Sequence, residues 1–168
     1  MPRNRHKSPE EKTQATFNKH LKENDTIICS VSGGPDSVFL LKCLVKFSKT
    51  TPLKIIVGHI NHSLRGIEAE LDEKFVKEMA ESHDLTYHST KVDTMAIAKS
   101  NKASIEEIGR EIRYGFTDKL YKKYKATYVA TAHHADDNLE TILLNFIRGS
   151  GLKGLSGMKE TSRKKNGL

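Results

Sequence analysis

The stretch Thr26-Ile27-Ile28-Cys29-Ser30-Val31-Ser32-Gly33-Gly34-Pro35-Asp36-Ser37-Val38-Phe39-Leu40-Leu41 holds a strand, a turn and the start of a helix in immediate succession. Residues 26–31 are β-branched and apolar and run into a glycine pair, which marks the end of a buried strand. From Asp36 to Phe47 the chain is apolar almost without a break, too long for an ordinary buried strand, so it reads as a buried helix. The turn between them, Ser32–Ser37, lies where open α/β sheets take their ligands, at the carboxyl end of a strand. A helix N-terminus there presents N–H groups and partial positive charge. The glycines let the backbone approach an anion, and Ser32 and Ser37 add hydroxyls. The plainer reading is a tight turn capped by Asp or Ser. Asp36 separates the two, because a carboxylate beside a phosphate calls for a bridging cation, and Mg²⁺ is commonly held by one or two carboxylates plus phosphates. The turn matches neither GxxxxGK[ST] nor GxGxxG, so the usual P-loop kinase and dinucleotide readings fall away.

Outward from this stretch, strands and helices alternate. A basic tail at 1–7 precedes Ser8-Pro9-Glu10-Glu11, a capping box with proline at the first helical position, which predicts a short helix to about Leu21. Leu53–Ile60 reads as a second strand. Glu70–His83 reads as a helix with Leu71, Phe75 and Met79 as an apolar stripe. Leu85–Thr90 is a third strand, and Ser104–Tyr124 a long helix with apolar residues at 105, 108, 112, 116, 120 and 124. Thr127–Ala132 is a fourth strand. Ala135–Ile147 reads as a helix whose apolar face is Leu139, Ile142, Leu143, Phe146 and Ile147. This order predicts an α/β fold with a parallel sheet and helices on both faces.

The length, 168 residues, suits one domain rather than two. Twenty-eight Lys+Arg against 21 Asp+Glu give a net charge of +7, which points toward a polyanionic partner such as nucleotide or nucleic acid. No apolar run approaches a membrane span, and the first residues carry no apolar signal region. Cys29 and Cys43 sit in apolar segments and form no CxxC pair, so the expected setting is reduced and cytoplasmic.

Three further constellations fall at strand ends or on a helix that can face them: His59-Ile60-Asn61-His62-Ser63-Leu64-Arg65-Gly66, then Glu106-Glu107-Ile108-Gly109-Arg110-Glu111-Ile112-Arg113-Tyr114, then Ala132-His133-His134-Ala135-Asp136-Asp137-Asn138-Leu139-Glu140-Thr141 with Arg148-Gly149-Ser150-Gly151-Leu152-Lys153-Gly154-Leu155. Asp136, Asp137 and Glu140 open a helix opposite its apolar stripe. They read either as dipole complements or as partners for a cationic amine. Arg65, Arg113 and Arg148 read either as solvated surface charges or as neutralisers of phosphate. Neither histidine pair is HExxH and no thiolate lies nearby, so strand-end hydrogen bonding is the simpler reading than a metal.

The Ser32–Ser37 turn resembles the SGGxDS loop of the PP-loop ATP pyrophosphatases. With the other three motifs, over about residues 25–158, the chain resembles the N-terminal catalytic domain of the tRNA(Ile)-lysidine synthase family. That resemblance implies a Rossmann-like, adenine nucleotide α-hydrolase-like fold. It implies a ligase that adenylates O2 of the wobble cytidine of tRNA(Ile) with a CAU anticodon and then joins L-lysine to C2, releasing AMP and pyrophosphate. ATP and Mg²⁺ are the implied cofactors. Ser32, Gly33, Gly34, Pro35, Asp36 and Ser37 would bind the nucleotide, with Asp36 holding Mg²⁺ through the phosphates. Asp36, Arg113, His133, Asp137 and Glu140 would be the catalytic set, and Arg65, Asp136, Asp137, Glu140 and Arg148 would meet lysine or tRNA. No membrane partner is expected, and the oligomeric state is open, a homodimer included.

The sequence departs from the family at Gly109, where Ala is more usual, and at Asn138, where Gln is common. It also ends where the family continues with another strand, a helical segment and tRNA-binding domains. The expected organisation is a tail and helix at 1–24 and a catalytic domain at 25–168, truncated, lacking a fifth strand and leaving an open sheet edge. Two alternatives stand beside this reading: another PP-loop tRNA-modifying ATPase, such as a 2-thiolating one, and a nucleotide-binding fragment without catalysis. A third, a flavodoxin-like domain with a fortuitous turn, would show no MgATP binding.

Overall fold

Continuous burial through the middle of β1 (Thr26–Ser30) sets the layers, since a strand sends successive side chains to opposite faces and Ile27, Ile28 and Cys29 are all covered. A computed structural model describes residues 8–134, 142–148 and 161–163. Ile27 and Cys29 face one side, where they meet Leu40, Leu41 and Leu44 of α2 (Pro35–Ser48). Ile28 faces the other, where it meets Leu120 of α5 (Ile105–Tyr124). β2 (Lys54–Asn61) follows the same rule, with Ile55 and Val57 on the α2 side and Ile56 on the α5 side. Both faces are therefore covered, as a parallel sheet requires.

α1 (Pro9–His20) begins with the expected capping box: Ser8 Oγ accepts from Glu11 N–H, and the Glu11 side chain accepts from Ser8 N–H. Its Phe17 is fully buried and meets Phe47 edge-on at 5.5 Å between ring centroids. α3 (Ile67–Glu81), β3 (Thr86–Lys91), α4 (Thr94–Asn101) and β4 (Tyr128–His134) complete the alternation. The strand order is β3-β2-β1-β4, all parallel, with β5 (Ile142–Arg148) and β6 (Thr161–Arg163) beyond β4.

Two local expectations are corrected. Residues 142–148 form strand β5, antiparallel to β4, where a helix over Ala135–Ile147 was expected. A short apolar run such as Ile142-Leu143-Leu144-Asn145-Phe146-Ile147 satisfies a helical stripe and a buried strand equally, and β4 offers a row of backbone groups needing partners. The β4 edge expected to stand open is thus paired. On α3, the stripe Leu71–Phe75–Met79 splits: Met79 packs inward with Ala69, Val76 and Ala80, while Leu71 and Phe75 stay exposed. The side chains of Asn61 and Tyr87 donate to the Ala69 and Glu73 carbonyls and fix which face of the helix meets the sheet.

Candidate active site

β2 and β4 lie on opposite sides of β1, so the chain reverses its direction of travel across the sheet beside the carboxyl end of β1. Ligand crevices of α/β folds form at such switch points. A cleft of about 160 Å³ opens there, lined by Ser30, Val31, Ser32 and Ser37 on one side and Thr131 and Ala132 of β4 on the other. Ile60, His62 and Arg113 close it. This is the scale of a small anion, comparable with a cavity of roughly 150 Å³ that admits one benzene ring.

The turn is knitted by its own hydroxyls. Ser32 N–H donates to Ser37 Oγ at 3.1 Å, and Ser37 Oγ donates to the Gly34 carbonyl at 2.9 Å. Gly33 has φ +97°, a conformation glycine adopts without strain. The N-cap of α2 is Gly34, and no side chain caps it. The Asp-or-Ser-capped turn is therefore not what forms. The first turn of α2 keeps the character of an anion site, and Asp36 stands in that turn without serving as its N-cap.

β2 supplies the second wall. His59 is buried, and its Nδ1 pairs with the Val31 carbonyl at 2.8 Å, tying the end of β1 to β2, while its Nε2 has no partner among the described residues. Asn61, also buried, donates to Glu73 Oε2 at 3.0 Å and accepts from Ser63 N–H at 2.9 Å, so the loop that carries His62 and Arg65 is fastened to α3. Burial would push Glu73 up. The hydrogen bonds from Asn61 and Ser89, with His59 and Lys91 nearby, hold it below the usual carboxylate range instead.

His62 pairs through Nδ1 with the Thr94 hydroxyl at 2.9 Å. Burial, then the Arg113 guanidinium, then His59 push its pKa down, so at neutral pH it presents an uncharged imidazole to the cleft. Arg113 comes from α5, where its carbonyl accepts from the Thr117 hydroxyl. Gly109, one turn before Arg113, faces His62: a methyl there would stand 3.8 Å from His62 Cε1, ordinary contact distance. Gly109→Ala should therefore stabilise the domain by about 0.5–1 kcal/mol through helix propensity alone, read as a higher urea midpoint with an unchanged slope.

Of the residues singled out in the sequence, Ser32, Ser37 and Arg113 line one cleft, and Gly33, Gly34, Pro35 and Asp36 form the turn between the two serines. Arg65 stands on the α3 side of the turn, paired with Asp72 at 2.6 Å. His133 and Arg148 belong to β4 and β5, but their side chains lie outside the described residues, as do Asp136, Asp137 and Glu140 altogether. His62, Thr131 and Asp72 were not foreseen as site residues. For His62 the signal was present in its place just past a strand end, whereas Asp72 carried none, being one acid among several on a solvated helix. Among the described residues no cluster of three or more His, Cys, Asp or Glu could hold a metal ion.

Comparison with known proteins agrees with this geometry. A family model described as the PP-loop domain matches residues 6–168. The chain belongs to the PP-loop domain family. This PP-loop domain is 44% identical over 139 residues to the tRNA(Ile)-lysidine synthase of Clostridium tetani, a match covering 83% of the chain and 30% of the relative. It is 42% identical over 142 residues to that of Clostridium acetobutylicum, covering 84% and 31%. The chain thus spans about a third of the length of these curated relatives. Among solved structures, a U34-tRNA thiolase, NcsA from Methanococcus maripaludis, superposes with a TM-score of 0.60 at 22% identity, covering 75% of the chain and 46% of that protein. At that identity the likeness speaks for the PP-loop fold alone.

Proposed function

We propose that this PP-loop domain binds MgATP with its β- and γ-phosphates in the Ser32–Ser37 turn and modifies tRNA(Ile) bearing a CAU anticodon to lysidine, as part of a cytoplasmic ligase. The observation that carries the reading is the uncapped glycine turn at the β1/β4 switch point, with Arg113 across the cleft from it. The names of the relatives supply the substrate. Attack of the cytidine O2 on the α-phosphorus would break the α–β bond and release pyrophosphate. The lysine ε-amine would then attack C2, and AMP would leave with the oxygen.

The turn's N–H groups and hydroxyls would hold the leaving pyrophosphate, and Arg113 would offset charge as it develops. Asp36, in the first helical turn beside the glycines, fits a Mg²⁺ shared with phosphate oxygens; the bound ion would supply charge neutralisation to the leaving group. We assign the lysine ammonium to Asp137 and Glu140 with Asp136 beside them, proximity to the adenylated base to His133, and phosphate or tRNA contacts to Arg65 and Arg148. The catalytic unit is residues 25–168, with α1 packed on it through Phe17. Neutral His62 donates no charge to the phosphates.

A thiolating relative is the weaker reading. Burial pushes the Cys29 thiol up to about 12 and the Cys43 thiol, aided by Glu10, up to about 11, so neither is a ready sulfur donor or cluster ligand. The test is the intact mass of unmodified CAU-anticodon tRNA(Ile) after incubation with the chain, MgATP and lysine. The expected gain is one lysine less one water, dependent on both ATP and lysine. Asp36→Ala should lose this turnover while melting like the parent. Turnover retained in Asp36→Ala would remove the metal role from that residue.

A further inference from the structure

The phosphate turn has a second neighbour that its proposed chemistry does not use. A Cβ placed on Gly33 would lie 3.0 Å from Asp72 Cβ and Cγ and 3.1 Å from its Oδ1, so the carboxylate of α3 stands directly against the turn. Its other oxygen, Oδ2, accepts from Arg65 Nη2 at 2.6 Å. A fixed negative charge thus abuts a turn suited to anions, with an arginine on its outer side. Asp72 keeps 30% of its side-chain exposure and Arg65 63%, so the pair is half in water and not a sealed structural bridge.

The loop holding Arg65 is fastened at both ends: Asn61 secures Ser63, and the Arg65 and Gly66 carbonyls accept from the Glu68 and Ala69 N–H groups at 3.2 Å. The freedom to re-aim therefore lies in the Arg65 side chain, which is 63% exposed. A polyphosphate in the turn would compete with Asp72 for the guanidinium, and phosphate oxygens can take it in bidentate geometry with more charge, where Asp72 holds it through one oxygen.

We propose that Arg65 and Asp72 form a latch on the phosphate site. Without nucleotide, Asp72 holds Arg65 and presents its own charge to Gly33; polyphosphate draws Arg65 off Asp72 onto its oxygens. Asp72 is then a positioning residue that lowers affinity for the polyphosphate and favours its release. This rests on the reading of Ser32–Ser37 as a polyphosphate site and extends it to a residue that reading does not require.

A double-mutant cycle on the full chain tests it, with MgATP and inorganic pyrophosphate as separate calorimetric titrants and thermal melts run in parallel. Asp72→Asn is expected to tighten MgATP binding about tenfold, a coupling of ordinary size. Arg65→Ala should weaken binding, and Asp72→Asn in the Arg65→Ala background should tighten it several-fold less than in the parent, since only the charge facing Gly33 is then removed. Asp72→Ser repeats the reading should the asparagine variant melt early. Equal tightening in both backgrounds would reduce Asp72 to simple repulsion and overturn the latch, as would unchanged or weaker binding in Asp72→Asn. Failure of the unaltered chain to bind either titrant would overturn the phosphate reading and the latch together, whereas binding insensitive to Asp72 would remove the latch alone.

Discussion

Gly33→Ala should weaken MgATP binding by about 10²-fold, the equivalent of roughly 3 kcal/mol, while the sheet still folds. Two independent costs meet at this position. At φ +97° an L side chain is strained whatever space surrounds it. The new methyl would also stand 3.0 Å from Asp72 Cβ and Cγ, atoms too close to the α3 backbone to retreat. The chain can escape both only by abandoning the turn that joins Ser32 and Ser37, the two residues of it that line the cleft. The expected signature is loss of MgATP binding by calorimetry with a melting temperature near that of the parent. Gly34→Ala makes the contrast: there a methyl would meet only Ser32 Oγ at 3.5 Å, with φ at −70°, so the loss should be much smaller.

Phe17→Ala should cost about 3–5 kcal/mol of unfolding free energy, a large share of the roughly 5–15 kcal/mol typical of a domain. Phe17 is wholly buried and lies edge-on to Phe47, which belongs to the helix that begins at the phosphate turn. Truncation would leave a cavity between α1 and α2, and the core it shares with Leu40 and Leu44 of α2 and Tyr128 of β4 is held by elements that cannot close it fully. Tyr128 also donates its hydroxyl to the His20 carbonyl at 2.9 Å, so β4 is tied to the same helix. Denaturant unfolding should show a lower midpoint as one cooperative transition. A midpoint unchanged by the substitution would mean that α1 is a detachable appendage.

The glycine turn at Ser32–Ser37 and the two-faced sheet were legible because local chemistry and fold coincide there. A β-branched run, a glycine pair and a mostly apolar segment admit few other arrangements, and the capping box at Ser8–Glu11 formed as written. Legibility failed where two tertiary solutions satisfied one local pattern. The stripe of α3 was one such place: Leu71 and Phe75 carry more apolar surface than Ala69 and Ala80, yet side-chain hydrogen bonds from Asn61 and Tyr87 to the helix backbone decided its rotation. The run Ile142–Ile147 was another, since an unpaired strand edge, a non-local feature, outweighed helical periodicity. In the site, Arg113 was foreseen because its motif places it on the helix facing the strand ends. His62 was passed over because its pair with His59 was weighed only as a metal site and lacks the HExxH spacing; its place beside Arg113 and the loop serines is seen only in the folded chain. Asp72 became visible only through its distance to Gly33.

The most direct test of the central claim is exchange of labelled pyrophosphate into ATP by the full chain, with and without CAU-anticodon tRNA(Ile) and lysine. Cleavage between the α- and β-phosphates with transfer of AMP to the cytidine predicts exchange that requires tRNA and proceeds without lysine, and that is lost in Gly33→Ala. Exchange that requires lysine and ignores tRNA would mean the amino acid is the group activated, and no exchange under any of these conditions would equally contradict the account.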